Sequence, residues 1–173
     1  MTFTPKRVWR RTIRLRNYDY RQPGMYFLTI NCWRKQQLFG QVRNGKMEIN
    51  TWGEIVRQEW LLTQELRPYV RIDEFVVMPD HFHGLLQILP QEQNEIDTLH
   101  EDGWVGLQAP KKHSLGAILV QFKGAVTKRI NAVEQTCGIR VWHSRYYDKI
   151  IRSEEELRNV RHYIKNNPVK WLK

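Results

Sequence analysis

Residues 70–89 constrain this chain more than any other stretch. Val70–Met78 and Phe82–Leu89 are two runs rich in apolar, β-branched and aromatic residues, joined only by a turn around Pro79-Asp80 and closed by Pro90. Such runs read as strands. A further strand is expected over Met25–Trp33, after the turn signal Pro23-Gly24. Asn44-Gly45, set between Leu38–Arg43 and Lys46–Ile49, favours the positive-φ pair of a tight hairpin. Three helices are expected between and after these strands. The first is capped by Thr51 and stopped by Pro68. The second is capped by Ser114 and carries the stripe Leu115, Ile118, Leu119, Phe122, Val126 and Ile130. The third begins at a Ser153–Glu156 capping box and ends near Asn167-Pro168, after a strand over Val141–Ile151. Strands interleaved with one-sided helices predict an α+β sandwich, in which an antiparallel sheet buries one face under two helices and keeps the other for a ligand.

Charge narrows the partner. Among 173 residues, 28 Lys and Arg face 18 Asp and Glu, a formal net charge of +10, which favours a polyanion such as nucleic acid. The chain divides into a basic N-terminal arm over residues 1–22 and a single domain over 23–173, with a loop insertion at about 91–112. Gln91–Ala109 carries five carboxylates and no Lys or Arg. It reads either as a tolerated insertion or as a functional lid. No apolar segment follows the basic start, so a secretory signal is not expected. Apolar runs such as Leu115–Val120 are too short to cross a bilayer, so no membrane partner is expected and the cytoplasm is the expected compartment. Cys32 and Cys137 form no CxxC pair, which excludes a thiolate zinc site on ligand count.

The chemistry concentrates in Pro79-Asp80-His81-Phe82-His83-Gly84. Side chains on a strand alternate faces, so His81 and His83 point one way and Phe82 the other. Two imidazoles one strand repeat apart can chelate one divalent metal, although a bare His-x-His pattern also arises by chance. Phe82 can pack under a helix, Gly84 permits close backbone approach, and Asp80 reads as a turn residue. A second feature is His162-Tyr163-Ile164-Lys165-Asn166-Asn167-Pro168-Val169. Tyr163 and Asn167 are four apart and share a helix face if the helix persists, offering a phenol and an amide to one site. Pro168 favours the alternative, in which Asn167 caps the helix.

Together these features resemble the single-tyrosine HUH transposases, and within them the REP-associated tyrosine transposases. The resemblance also covers Arg10–Leu15 with Tyr18-Asp19-Tyr20, Phe75–Gly84 and Val141–Asp148, and spans the chain from about Arg10 to Val169 apart from the acidic loop. It implies a ferredoxin-like fold with the histidines on a central strand and the tyrosine on a C-terminal helix. It also implies cleavage and joining of single-stranded DNA bearing palindromic-repeat hairpins. Tyr163 is then the nucleophile, with His81 and His83 completing the catalytic set. His81, His83 and Asn167 are the ligands of a divalent metal, Mg²⁺ or Mn²⁺, and the protein works as a monomer or a homodimer. Asn167 stands where insertion-sequence members often carry the longer Gln.

Tyr146 and Tyr147 are rival nucleophiles, placed on a predicted strand rather than a helix. DNA phosphates are expected to meet Arg7, Arg10, Arg11 and Arg14 of the arm, together with Lys123, Lys128, Arg129, Arg145, Arg152, Arg158, Arg161 and Lys165. Tyr18, Tyr20, Trp33 and Trp142 are candidates for stacking on unpaired bases. A different class of function remains open, a non-catalytic regulator that binds nucleic acid. Hydrolysis of a small phosphoester is ranked below both, because the constellation offers too few carboxylates.

Overall fold

A computed structural model of the chain describes residues 18–91 and 110–171. Arg7, Arg10, Arg11, Arg14 and the acidic stretch over 92–109 lie outside the described residues. The elements run β1 (Gly24–Asn31), β2 (Gly40–Arg43), β3 (Lys46–Ile49), α1 (Thr51–Glu65), β4 (Val70–Val77), β5 (His81–Ile88), α2 (Leu115–Val133), β6 (Tyr147–Ile151), α3 (Glu154–Lys165) and α4 (Asn167–Lys170). Four strands form one antiparallel sheet in the order β4-β5-β1-β6. The β2–β3 hairpin stands apart, and its Asn44-Gly45 turn has φ of 51° and 73°, the positive pair that the sequence predicts. Without the hairpin the connectivity is βαββαβ, the ferredoxin-like arrangement.

Strand alternation divides the side chains between two faces. Tyr26, Leu28 and Ile30 of β1 and Phe82, Leu86 and Ile88 of β5 are buried against α1 and α2. Trp60 of α1 meets Phe82 at 4.8 Å and Phe122 of α2 at 5.1 Å between ring centroids. Each such side chain removed from water contributes roughly 1.5–3 kcal/mol. Gly84 lies under this cluster. A Cβ there would sit 2.7 Å from both Trp60 Cζ2 and Phe82 Cε1, so only glycine lets α1 approach this closely.

The opposite face holds the site. It carries a smaller core in which Leu157 and Ile164 of α3 pack on Phe27 and Leu85. Two ion pairs fasten α3 to β4, Arg161 with Asp73 at 2.5 Å and Lys165 with Glu74 at 2.8 Å. The β4–β5 register shifts between Ile72 and Phe75. That irregularity is what lets two successive carboxylates, Asp73 and Glu74, both reach the helix.

Three local expectations are corrected. Helix α1 is capped by Asn50, whose Oδ1 accepts from Gly53 N at 2.9 Å, and Thr51 is already helical. Strand β6 starts at Tyr147, not Val141. Trp142 makes only a single bridge to Cys32 and turns into the core beside Phe39. Between them the chain leaves the sheet, and Lys123 Nζ donates to the carbonyls of His143 and Ser144 at 2.8 and 3.2 Å. Near the C-terminus Asn166, not Asn167, caps α3 (φ −93°, ψ 4°). Asn167 opens the next short helix.

Candidate active site

Four residues that the sequence singles out meet on the open face of the sheet. His81 and His83 project from β5 to the same side, with ring centroids 4.5 Å apart, and both are buried. Strand pairing sets Asn31 opposite His81 and Thr29 opposite His83. Tyr163 comes from α3, and its hydroxyl lies 3.3 Å from His83 Nε2. The Asn167 side chain is buried beside His81. The kink at Asn166 accomplishes this, because it turns the amide back toward the imidazoles that the phenol already faces.

Each histidine is oriented by a neighbour. His81 Nδ1 sits 2.5 Å from Asp80 Oδ1. A carboxylate can only accept, so the proton belongs on Nδ1 and the Nε2 lone pair is free. His83 Nδ1 is hydrogen-bonded to Thr29 Oγ1 at 2.9 Å, and donation from Nδ1 likewise frees Nε2. Phe27 stacks on His83 at 5.3 Å and meets Tyr163 edge-on at 6.0 Å, fixing both rings from below.

Burial also sets the charge state. It lowers the His83 pKa to about 3, with the neighbouring His81 adding to the effect. It lowers that of His81 as well, outweighing the Asp80 carboxylate, which acts the other way. Both rings are therefore neutral at physiological pH, the form that ligates metal. Two imidazole nitrogens and an amide, one imidazole backed by a carboxylate, make a donor set that suits a divalent ion. Tyr163 remains 40% exposed, open to solvent.

The expected cations divide by location. Lys128 and Arg129 lie on α2, across the sheet from the site, and Arg129 is paired with Glu59 at 2.8 Å. Lys123 is a structural tether rather than a surface cation, because its ammonium is taken up by the two carbonyls already named. Arg161 and Lys165 flank the tyrosine but are engaged by Asp73 and Glu74. Arg145, Arg152 and Arg158 are exposed. Of the stacking candidates, Tyr20 and Trp142 are buried. Trp33 is half-buried, between the guanidinium groups of Arg34 and Arg140 at 5.7 and 5.1 Å. Tyr146 packs against the main core, whereas Tyr147 is exposed and lies opposite Thr29 on the site's face. Sequence reasoning missed Thr29 and read Asp80 only as a turn residue.

The chain is 38% identical over 165 residues to an uncharacterized protein of Haemophilus influenzae, covering 94% of this chain and 89% of that one. The two belong to one family. No protein-family model matches. Among solved structures, a REP-associated tyrosine transposase bound to a REP hairpin superposes with a TM-score of 0.61, over 92% of this chain and 74% of that one, at 21% identity. The chain has the REP-associated tyrosine transposase fold. The α+β sandwich expected from the residues and the ferredoxin-like core expected from the motif resemblance are both present in it. In this transposase fold the His-x-His strand lies at the centre of the sheet and the tyrosine helix crosses the face it leaves open.

Proposed function

We propose that the protein is a cytoplasmic single-stranded DNA endonuclease and strand transferase that cuts and rejoins hairpin-bearing DNA through Tyr163. The observation that carries this reading is the meeting of two remote chain segments: a phenol oxygen 3.3 Å from one of two neutral imidazoles, with a buried amide beside the other. The solved REP-associated relative is bound to a REP hairpin, which supports the same class of substrate here.

The Tyr163 oxygen attacks the scissile phosphorus. The phosphorus–O3′ bond breaks, and the phosphate stays on the protein as a 5′-phosphotyrosine. The phenol proton passes to solvent, and the departing 3′ oxygen takes one up to leave a 3′-OH. Because the ester bond is exchanged rather than hydrolysed, another 3′-OH can reverse the step without ATP. Phe27 and the anchored α3 keep the phenol aimed across the imidazoles, and burial keeps those imidazoles unprotonated. His81, His83 and Asn167 would hold Mg²⁺ or Mn²⁺, which supplies charge neutralisation for the non-bridging oxygens when bound.

The test is incubation with hairpin-bearing single-stranded DNA and Mn²⁺. A protein–DNA complex that survives SDS is expected from the wild type and is absent for Tyr163→Phe, which still binds DNA. A non-catalytic regulator would bind DNA and form no such complex. A hydrolase would release product with no protein attached.

A further inference from the structure

Beside Tyr163 the sheet face opens into a cleft of about 630 Å³ between β6 and α3. Phe27 and Val160 form its apolar part, and Tyr163 and Asn159, one helical turn apart, line the α3 side. Tyr147 stands on β6 with 43% of its surface exposed. Among the described residues its hydroxyl makes no hydrogen bond and its ring stacks on no other aromatic ring. The sheet register puts Val76, His83, Thr29 and Tyr147 in one transverse row. Two strand spacings therefore separate Tyr147 from His83, about 10 Å.

The charges of the cleft sort its occupant. Lys149 lines it, but the ammonium is held by Glu156 at 2.5 Å, and Glu155 lines the same space. The carboxylates of Glu155 and Glu156 disfavour a phosphate at that end of the cleft, away from Tyr163. A flat uncharged ring is not disfavoured, and it finds an apolar floor, an exposed aromatic wall and an amide that can hydrogen-bond to its edge.

We infer that this cleft is a base-binding subsite, in which Tyr147 stacks on the unpaired nucleobase next to the scissile phosphate while the phosphate lies at Tyr163. This rests on the proposed single-stranded DNA substrate and adds where a neighbouring base goes. It also gives Tyr147 a binding role in place of the rival nucleophilic one.

The experiment measures binding without metal, in EDTA, by anisotropy of labelled hairpin oligonucleotides with single-stranded flanks. A series carries one abasic nucleotide at each flank position. Base–aromatic stacking of about 1–3 kcal/mol corresponds to roughly a 5–150-fold change in affinity. One abasic position should weaken wild-type binding by that factor. Tyr147→Ala should lose the same factor on the intact oligonucleotide and become insensitive at that position, while Tyr147→Phe keeps wild-type behaviour. Matched melting temperatures of the three proteins exclude misfolding. The inference is overturned if Tyr147→Ala binds like the wild type, or if it stays sensitive to the same abasic position. Tyr147-dependent binding without an SDS-stable adduct would reject the catalytic reading and leave the subsite standing. No binding of single-stranded DNA would reject both.

Discussion

At the scale of single residues, the site depends on groups that hold the histidines as much as on the histidines themselves. Asp80 fixes the His81 tautomer and Thr29 orients His83. Removing such partners typically costs 10–100-fold in metal affinity. Asp80→Asn and Thr29→Val are therefore each expected to weaken Mn²⁺ binding by about that factor in a calorimetric titration, with the fold retained by circular dichroism. Burial of His83 has a consequence for acid stability. Its folded pKa of about 3 lies below the ordinary histidine value of about 6.5, so the unfolded chain takes up the proton first. The stability contributed by the neutral ring is whole above pH 6.5 and is lost as pH falls from there toward 3. Denaturant titrations in EDTA should show a loss of a few kcal/mol over that window, reduced in His83→Gln.

At the scale of elements, the parts written as local pattern were legible and the parts set by register were not. His81 and His83 share a face because strands alternate, and Phe82 packs beneath α1 and α2 for the same reason. The hairpin at Asn44-Gly45, the Ser114 cap and the Ser153 cap were equally local. The Ser153 box is only half formed, since Glu156 accepts from Arg152 N rather than from Ser153. Thr29 joins the site only because β1 pairs with β5 in one register, and that pairing is chosen by apolar pairs remote in sequence, such as Ile30 with Phe82 and Tyr26 with Leu86. Lys123 looked like a surface cation because helical spacing put it off the apolar stripe. The loop that covers it, over His143–Ser144, lies in a stretch whose aromatic and β-branched residues predict a strand. The close approach of α1 and β5 at Gly84 belongs to this scale. Gly84→Ala would force the Trp60 and Phe82 rings apart, and overpacking of this kind costs about 1–3 kcal/mol, measurable by urea denaturation.

At the scale of the whole molecule, one chain carries the complete constellation. The Tyr163 hydroxyl approaches His83 of its own sheet, and α3 is fastened to β4 by two ion pairs. Of the two assembly states that the resemblance implies, we propose the protomer acting alone. Mixing His81→Ala with Tyr163→Phe should then restore no adduct, whereas a dimer that exchanges its tyrosine helices would regain up to half of the wild-type yield. The net charge of +10 adds a phosphate-directed term that salt should weaken, and the exposed Arg145, Arg152 and Arg158 are available to it. Among the described residues no helix is long and apolar enough to cross a membrane. The most direct measurement is to digest the SDS-stable adduct and locate the nucleotide by mass spectrometry. A 5′-phosphonucleotide is expected on the peptide containing Tyr163. A nucleotide on Tyr146 or Tyr147, or cleaved DNA with no modified peptide, would contradict this.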